Sequence, residues 1–166
     1  PLGRRPKTSS GALGLMPMLL LFVGKTKEGF VKDGIAKYLE LLRRQARIEI
    51  REIKGSRKTG ADAVREEGAA ILERVAPSDY LIALHERGKN PDSKKFAGEI
   101  APLLEQGRNI VFVVGGPFGL SEEMLTRADY QLSLSKLTFT HEMARLILME
   151  QVYRAFTIIQ RRTYHY

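Results

Sequence analysis

The run Ile110-Val111-Phe112-Val113-Val114, broken off by Gly115-Gly116-Pro117-Phe118-Gly119, constrains this chain more than any other stretch. Successive apolar residues, mostly β-branched or aromatic and without alternation, describe a strand buried on both faces. Such strands belong to sheets covered by helices on each side. Ser121, followed by Glu122, Glu123 and Met124, then reads as an N-cap with acids in the first helical turn. In an open α/β sheet, ligands bind in the crevice beyond the carboxyl ends of the strands, and glycine lets a ligand approach the backbone there. The segment matches neither GxxxxGK[ST] nor GxGxxG, so both common nucleotide fingerprints fail. A small-molecule site and a plain strand-to-helix turn both fit the glycines taken alone.

The remaining chain alternates in the same way. Leu19–Val23, Arg47–Ile53, Asp79–Leu84 and Tyr130–Leu134 are strand-like, and Arg47–Ile53 alternates Ile48, Ile50 and Ile53 with charges, as a strand with one exposed face does. Lys27–Arg44 (apolar at Phe30, Ile35, Tyr38, Leu39 and Leu42), Ala61–Val75, Ser93–Gln106, Glu122–Arg127 and His141–Ile159 are helical in spacing. Strands alternating with helices predict a single α/β domain with a parallel sheet. The loops 85–91, 115–120 and 135–140 would then converge at one end of that sheet, which makes a site more credible than the glycines alone.

The chain has no cysteine, which excludes disulfides, thiolate metal sites and a cysteine nucleophile. The apolar run Met18–Val23 is too short to span a membrane. Residues 1–17 lack periodicity and are rich in Gly, Pro, Ser and Arg; they read as a cloning remnant or disordered leader, with 18–166 as the folded domain. Leaving out residues 1–18 lowers the formal charge from +8 to +5, with 24 basic against 19 acidic residues. That surplus mildly favours a polyanionic partner such as RNA.

His141-Glu142-Met143-Ala144-Arg145 begins like a zinc-protease helix but carries arginine where the second histidine must stand, so a catalytic zinc is excluded and no metal is expected. The ordinary alternative for His141 is a helix-start histidine packed near a loop. The final helix is apolar almost all round, from Met143 to Ile159, which predicts burial on more than one side, against its own chain or a second copy. Arg154 stands four residues after Glu150, in the favourable order for an intrahelical pair. The tail from Gln160 to Tyr166 is basic and aromatic; it suits either a frayed, solvated end or a contact to phosphates and unpaired bases.

Several dispersed motifs, in order, resemble the RlmH family, small SPOUT-class methyltransferases of bacterial large-subunit ribosomal RNA. They are Val23-Gly24-Lys25, Val114 to Leu120, Leu132 to Phe139, Glu150 to Ala155, and Tyr164-His165. The resemblance runs from about Leu19 to the C-terminus. It implies a parallel-sheet SPOUT fold with a C-terminal deep trefoil knot, a cytoplasmic homodimer, and S-adenosylmethionine held in the knot. The implied reaction is methylation at N3 of a pseudouridine in 23S ribosomal RNA of the assembled 70S ribosome.

By position, the resemblance assigns Leu84, Gly115 and Gly116 to the cofactor pocket, with Leu134, Ser135, Lys136, Leu137, Thr138 and Phe139 as the loop around it. The imide proton at N3 must leave for attack, and His165, with Tyr164 beside it, is the candidate base. Arg154 is the candidate stabiliser of the developing anion, if it is not merely paired with Glu150. The chain departs from the family pattern in having Thr140 before the histidine and in ending at Tyr166. Two rivals stand beside this reading: a SPOUT-like RNA-binding protein without methyl transfer, and an adenine-nucleotide enzyme.

Overall fold

A computed structural model describes residues 16–163 of the chain. Five parallel strands form one sheet in the order β2-β1-β4-β3-β5, namely β1 (Met16–Val23), β2 (Ala46–Ile53), β3 (Tyr80–Lys89), β4 (Ile110–Val114) and β5 (Tyr130–Leu132). The unbroken apolar strands take the inner places: every residue of β4 is buried, and so is β1 from Met18 to Val23. The alternating strand β2 takes an edge, where exposed Arg47, Glu49 and Arg51 discourage pairing with another sheet.

Helices α1 (Gly29–Leu42), α3 (Ser93–Glu105) and α5 (His141–Thr163) cover one face, and α2 (Gly60–Leu72) and α4 (Glu122–Arg127) the other. Alternate residues of the same strand supply the two cores. Leu20 and Phe22 point toward α1, α3 and α5, while Leu19, Leu21 and Val23 point toward α2 and α4. Ser121 caps α4 as its sequence predicts, accepting from the Met124 amide at 3.1 Å.

Three expectations are corrected. The apolar stripe of α1 runs through Val31, Ile35 and Leu42, and Phe30 is exposed, because the helix starts at Gly29 and turns Phe30 outward. The polar stretch 85–89 is a continuation of β3 rather than a loop; Lys89 pairs with Leu132 after a register shift beyond Leu84. Gly88 permits this, since a Cβ there would lie 2.6 Å from the Gln131 carbonyl group. The last strand ends at Leu132, two residues early, because Ser133 turns into the next loop.

The apolar breadth of α5 is used largely within the chain. Packed beside both α1 and α3, it buries Leu148, Met149, Val152, Ala155 and Phe156. Leu146, Ile147, Tyr153, Ile158 and Ile159 stay half-buried.

Candidate functional site

The carboxyl ends of β3, β4 and β5 open into a cavity of about 690 Å³, within the range of small-molecule pockets. Three segments wall it: Leu84 to Glu86 of β3, Val114 to Leu120 after β4, and Leu132 to Ala144 after β5, without Lys136 or Glu142 and Met143. The convergence expected from the sequence is therefore present, with the first wall built from strand instead of loop.

Each wall is shaped by its own hydrogen bonds. Gly116 to Gly119 makes a tight turn, in which the Gly119 amide donates to the Gly116 carbonyl at 3.0 Å. Pro117 takes the second position, for which its fixed φ suits it, and Gly119 has φ +82°, where other residues are strained. A Cβ at Gly115 would stand 3.0 Å from the Gly119 carbonyl oxygen, so a side chain there would crowd the bend. After β5, the amide of buried Ser133 donates to the Lys89 carbonyl and its carbonyl accepts from the Asn90 side-chain amide, each at 2.8 Å. Ser133 Oγ then donates to the Ser135 carbonyl and the Leu137 amide donates to Ser135 Oγ, which curls the loop over the cavity.

Leu84, Gly115, Gly116, Leu134, Ser135, Leu137, Thr138 and Phe139 all line the cavity. Lys136 lies in the same loop but is exposed and does not line it. Arg154 is elsewhere: its Nε and Nη2 donate to Glu150 Oε1 at 3.0 and 2.5 Å on an exposed face of α5. It stands ten residues past Ala144, the last lining residue, about 15 Å farther along the helix at its ordinary rise. Tyr164 and His165 lie outside the described residues.

The structure bears out the reading of His141 as a helix-start histidine packed near a loop. Arg145, which the sequence singles out only as the residue that breaks a zinc motif, has a structural role that reading did not assign. His141 lines the cavity at the start of α5, whose first turn is capped by Thr140 through the Met143 amide. Burial, and then the Arg145 guanidinium, hold its imidazole below the ordinary histidine pKa, with Glu142 opposing. Arg145 is wholly buried; Nη1 donates to Thr26 Oγ1 at 2.8 Å and Nη2 to the Val23 carbonyl at 2.6 Å. A signal for it existed: Arg145 stands on the same helical stripe as Leu148, Met149, Val152 and Phe156, where a charge must be held by specific partners.

The cavity wall contains no lysine or arginine, and its ionisable side chains are His85, Glu86 and His141. Such a lining does not neutralise a triphosphate, but accepts a cationic or neutral ligand with a flat apolar part against Leu84, Leu134 and Phe139. Among the described residues no cluster can hold a metal ion, and no helix is long and apolar enough to cross a membrane.

A family described as "Predicted SPOUT methyltransferase" matches residues 16–165. A ribosomal RNA large subunit methyltransferase H of Desulfotalea psychrophila is 40% identical over 148 residues, covering 88% of this chain and 97% of the relative. Its namesake from Thermotoga neapolitana is 40% identical over 147 residues, with the same coverage of 88% and 97%. Among solved structures, a probable methyltransferase from Bordetella pertussis aligns with a TM-score of 0.55 at 13% identity, covering 84% of this chain and 93% of that one.

Proposed function

The chain belongs to the SPOUT methyltransferase family, and on that footing we propose that it transfers a methyl group from S-adenosylmethionine to 23S ribosomal RNA. The observation that carries this reading is the cavity at the ends of β3, β4 and β5, whose wall coincides with all but one of the positions expected to hold the cofactor. The fit is chemical as well as positional. Apolar Leu84, Leu134 and Phe139 suit an adenosine, and the absence of lysine and arginine from the wall suits a sulfonium. His141 held toward its neutral form adds no positive charge. When bound, S-adenosylmethionine supplies an activated methyl group.

The finer reading names N3 of a pseudouridine on the assembled 70S ribosome as the acceptor. An imide N–H must lose its proton for attack, and His165, oriented by Tyr164, would take it, an effect worth about 10²–10⁴-fold. Arg154 would stabilise the negative charge developing on the imide oxygens. Because Arg154 lies about 15 Å beyond the cavity's α5 wall, this role requires that it serve the cavity of a second copy. The reading therefore includes a homodimer, with the half-buried apolar residues of α5 as its interface and the tail of one copy completing the site of the other. We assign residues 16–166 to a single methyltransferase domain, two residues longer than the sequence suggests because Met16 and Pro17 belong to β1, with the loop 134–139 closing a trefoil knot around the cofactor, in a protein of the cytoplasm.

Incubation with 70S ribosomes and methyl-labelled S-adenosylmethionine tests this function. Label in 23S RNA at a pseudouridine is the expected result. Binding to ribosomes with no transferred label would turn the reading toward an RNA-binding protein.

A further inference from the structure

Beside the cavity, the paired ends of β1 and β2 carry four exposed cations, Lys25, Lys27, Lys54 and Arg57, none in an ion pair among the described residues. Register brings them together. Val23 pairs with Ile53, and the Gly24 amide donates to the Ile53 carbonyl at 2.7 Å, so Lys25 and Lys54 leave the sheet side by side. Between them, residues 24–28 and 54–58 contain five basic residues and one acid, Glu28; Lys58 is partnered by Glu66 at 3.5 Å.

Glu66 partly offsets Lys58 and, more weakly, Lys54, while the other neighbouring acids fasten the loops by their backbones. Glu52 Oε1 accepts from the Thr26 amide at 2.8 Å, and Glu142 Oε1 from the Lys27 and Glu28 amides at 2.6 and 3.0 Å. On the other side, Glu67, 6% exposed, accepts from the Ser56 amide at 2.9 Å. Two loops held by their backbones and crowned with unpaired cations bind a polyanion with little loss of loop entropy.

The loops also adjoin the cavity. Gly116 lines it, and a Cβ on Gly116 would lie 3.2 Å from Val23 and 3.5 Å from Glu67 Oε2. His141 lines it too, and the next residue, Glu142, grips Lys27. Phe30, in the first turn of α1 beyond these cations, is 59% exposed. Exposed aromatic rings beside cations are the combination by which proteins hold unpaired bases and phosphates together. One ring without an apolar helical face is too little for a membrane surface.

We infer that loops 24–28 and 54–58, with Phe30, form a docking surface for the phosphate backbone of RNA, laid against the wall of the cofactor cavity. This deepens the proposed function and rests on it. The test is the Lys25→Ala/Lys54→Ala/Arg57→Ala variant, its fold checked by thermal melting. With 70S ribosomes as acceptor, KM should rise about tenfold, kcat and S-adenosylmethionine affinity should stay within about twofold, and the slope of log KM against log salt should fall by roughly 2. Lys25→Arg/Lys54→Arg/Arg57→Lys should restore both KM and the salt slope. A triple-alanine variant with unchanged KM and salt slope overturns the surface and leaves the methyltransferase reading intact. If the unmodified chain transfers no methyl group, that reading falls, and co-sedimentation with 70S ribosomes decides the surface. Salt-sensitive binding lost in the variant supports it; equal binding, binding by neither protein, or binding only to anionic vesicles overturns it.

Discussion

Arg145 Nη2 donates to the Val23 carbonyl at 2.6 Å, so the start of the last helix is tied to the end of the first strand across 122 positions of sequence. The guanidinium also lies 4.9 Å from the centre of the Phe22 ring. Its charge is buried with no carboxylate in salt-bridge contact among the described residues, and burial lowers its pKa, with Glu142 and Glu52 opposing. Hydrogen bonds and the aromatic face offset that cost. The residue joins the cavity's α5 wall to the β1–α1 loop.

Arg145→Ala should destabilise the protein by about 3 kcal/mol, because the Val23 carbonyl and the Thr26 hydroxyl lose their donor and a void opens under α5. Urea denaturation measures it. A loss below about 1 kcal/mol would mean that water replaces the guanidinium without cost.

His141 should titrate below its ordinary value of 6.5, and should move upward in Arg145→Met, since a nearby positive charge is removed. Because the folded pKa is the depressed one, the unfolded chain binds more protons between the two values. The stability this group contributes is complete above about pH 6.5 and is lost as pH falls through the folded pKa. Imidazole chemical shifts followed against pH provide the check. A value at or above 6.5 in the folded protein would refute this environment.

Gly88→Ala should cost about 2 kcal/mol, as the added methyl group must push the β3 extension off the backbone of Gln131. The damage should be local. The Ser133 amide, which donates to the Lys89 carbonyl, should lose protection from hydrogen exchange while the β1–β4 ladder keeps its own. Uniform loss across the sheet would show that this edge is not a separate unit.

Deleting Tyr164 to Tyr166 should leave S-adenosylmethionine binding near normal and severely reduce methyl transfer to 70S ribosomes. His165→Ala should lose less, and its deficit should shrink as pH rises and more imide ionises unaided. Arg154→Ala should lose about 10²-fold in kcat across the same range, with no change in melting, since its exposed side-chain pair with Glu150 contributes little stability. Full activity of the truncated chain would return the tail to a solvated end.

The parts of the fold that depend on near neighbours in sequence were readable there. The all-apolar run at Ile110–Val114 announces a strand buried on both faces, the charges of Arg47, Glu49 and Arg51 a strand with one exposed face, and Ser121 the start of a helix. The polar stretch at 85–89 was misread because its pairing to β5 depends on a close approach at Gly88, which polarity does not encode. The roles of Arg145 and Glu142 are hidden for a related reason, although both residues stand in the motif that excludes a zinc site. Their partners, Val23, Thr26, Lys27 and Glu28, are more than a hundred residues away. The loop after β5 was legible mainly through resemblance, since its curl rests on serine-to-backbone bonds that periodicity does not register.

Titration of S-adenosylmethionine into the isotope-labelled chain, followed by backbone amide shifts, tests the central claim most directly. Saturable shifts concentrated at 84–86, 115–120 and 132–141, with ATP producing none of comparable size, are the predicted result. Saturable shifts that spare these three segments, or a response to ATP equal to that to S-adenosylmethionine, would contradict it.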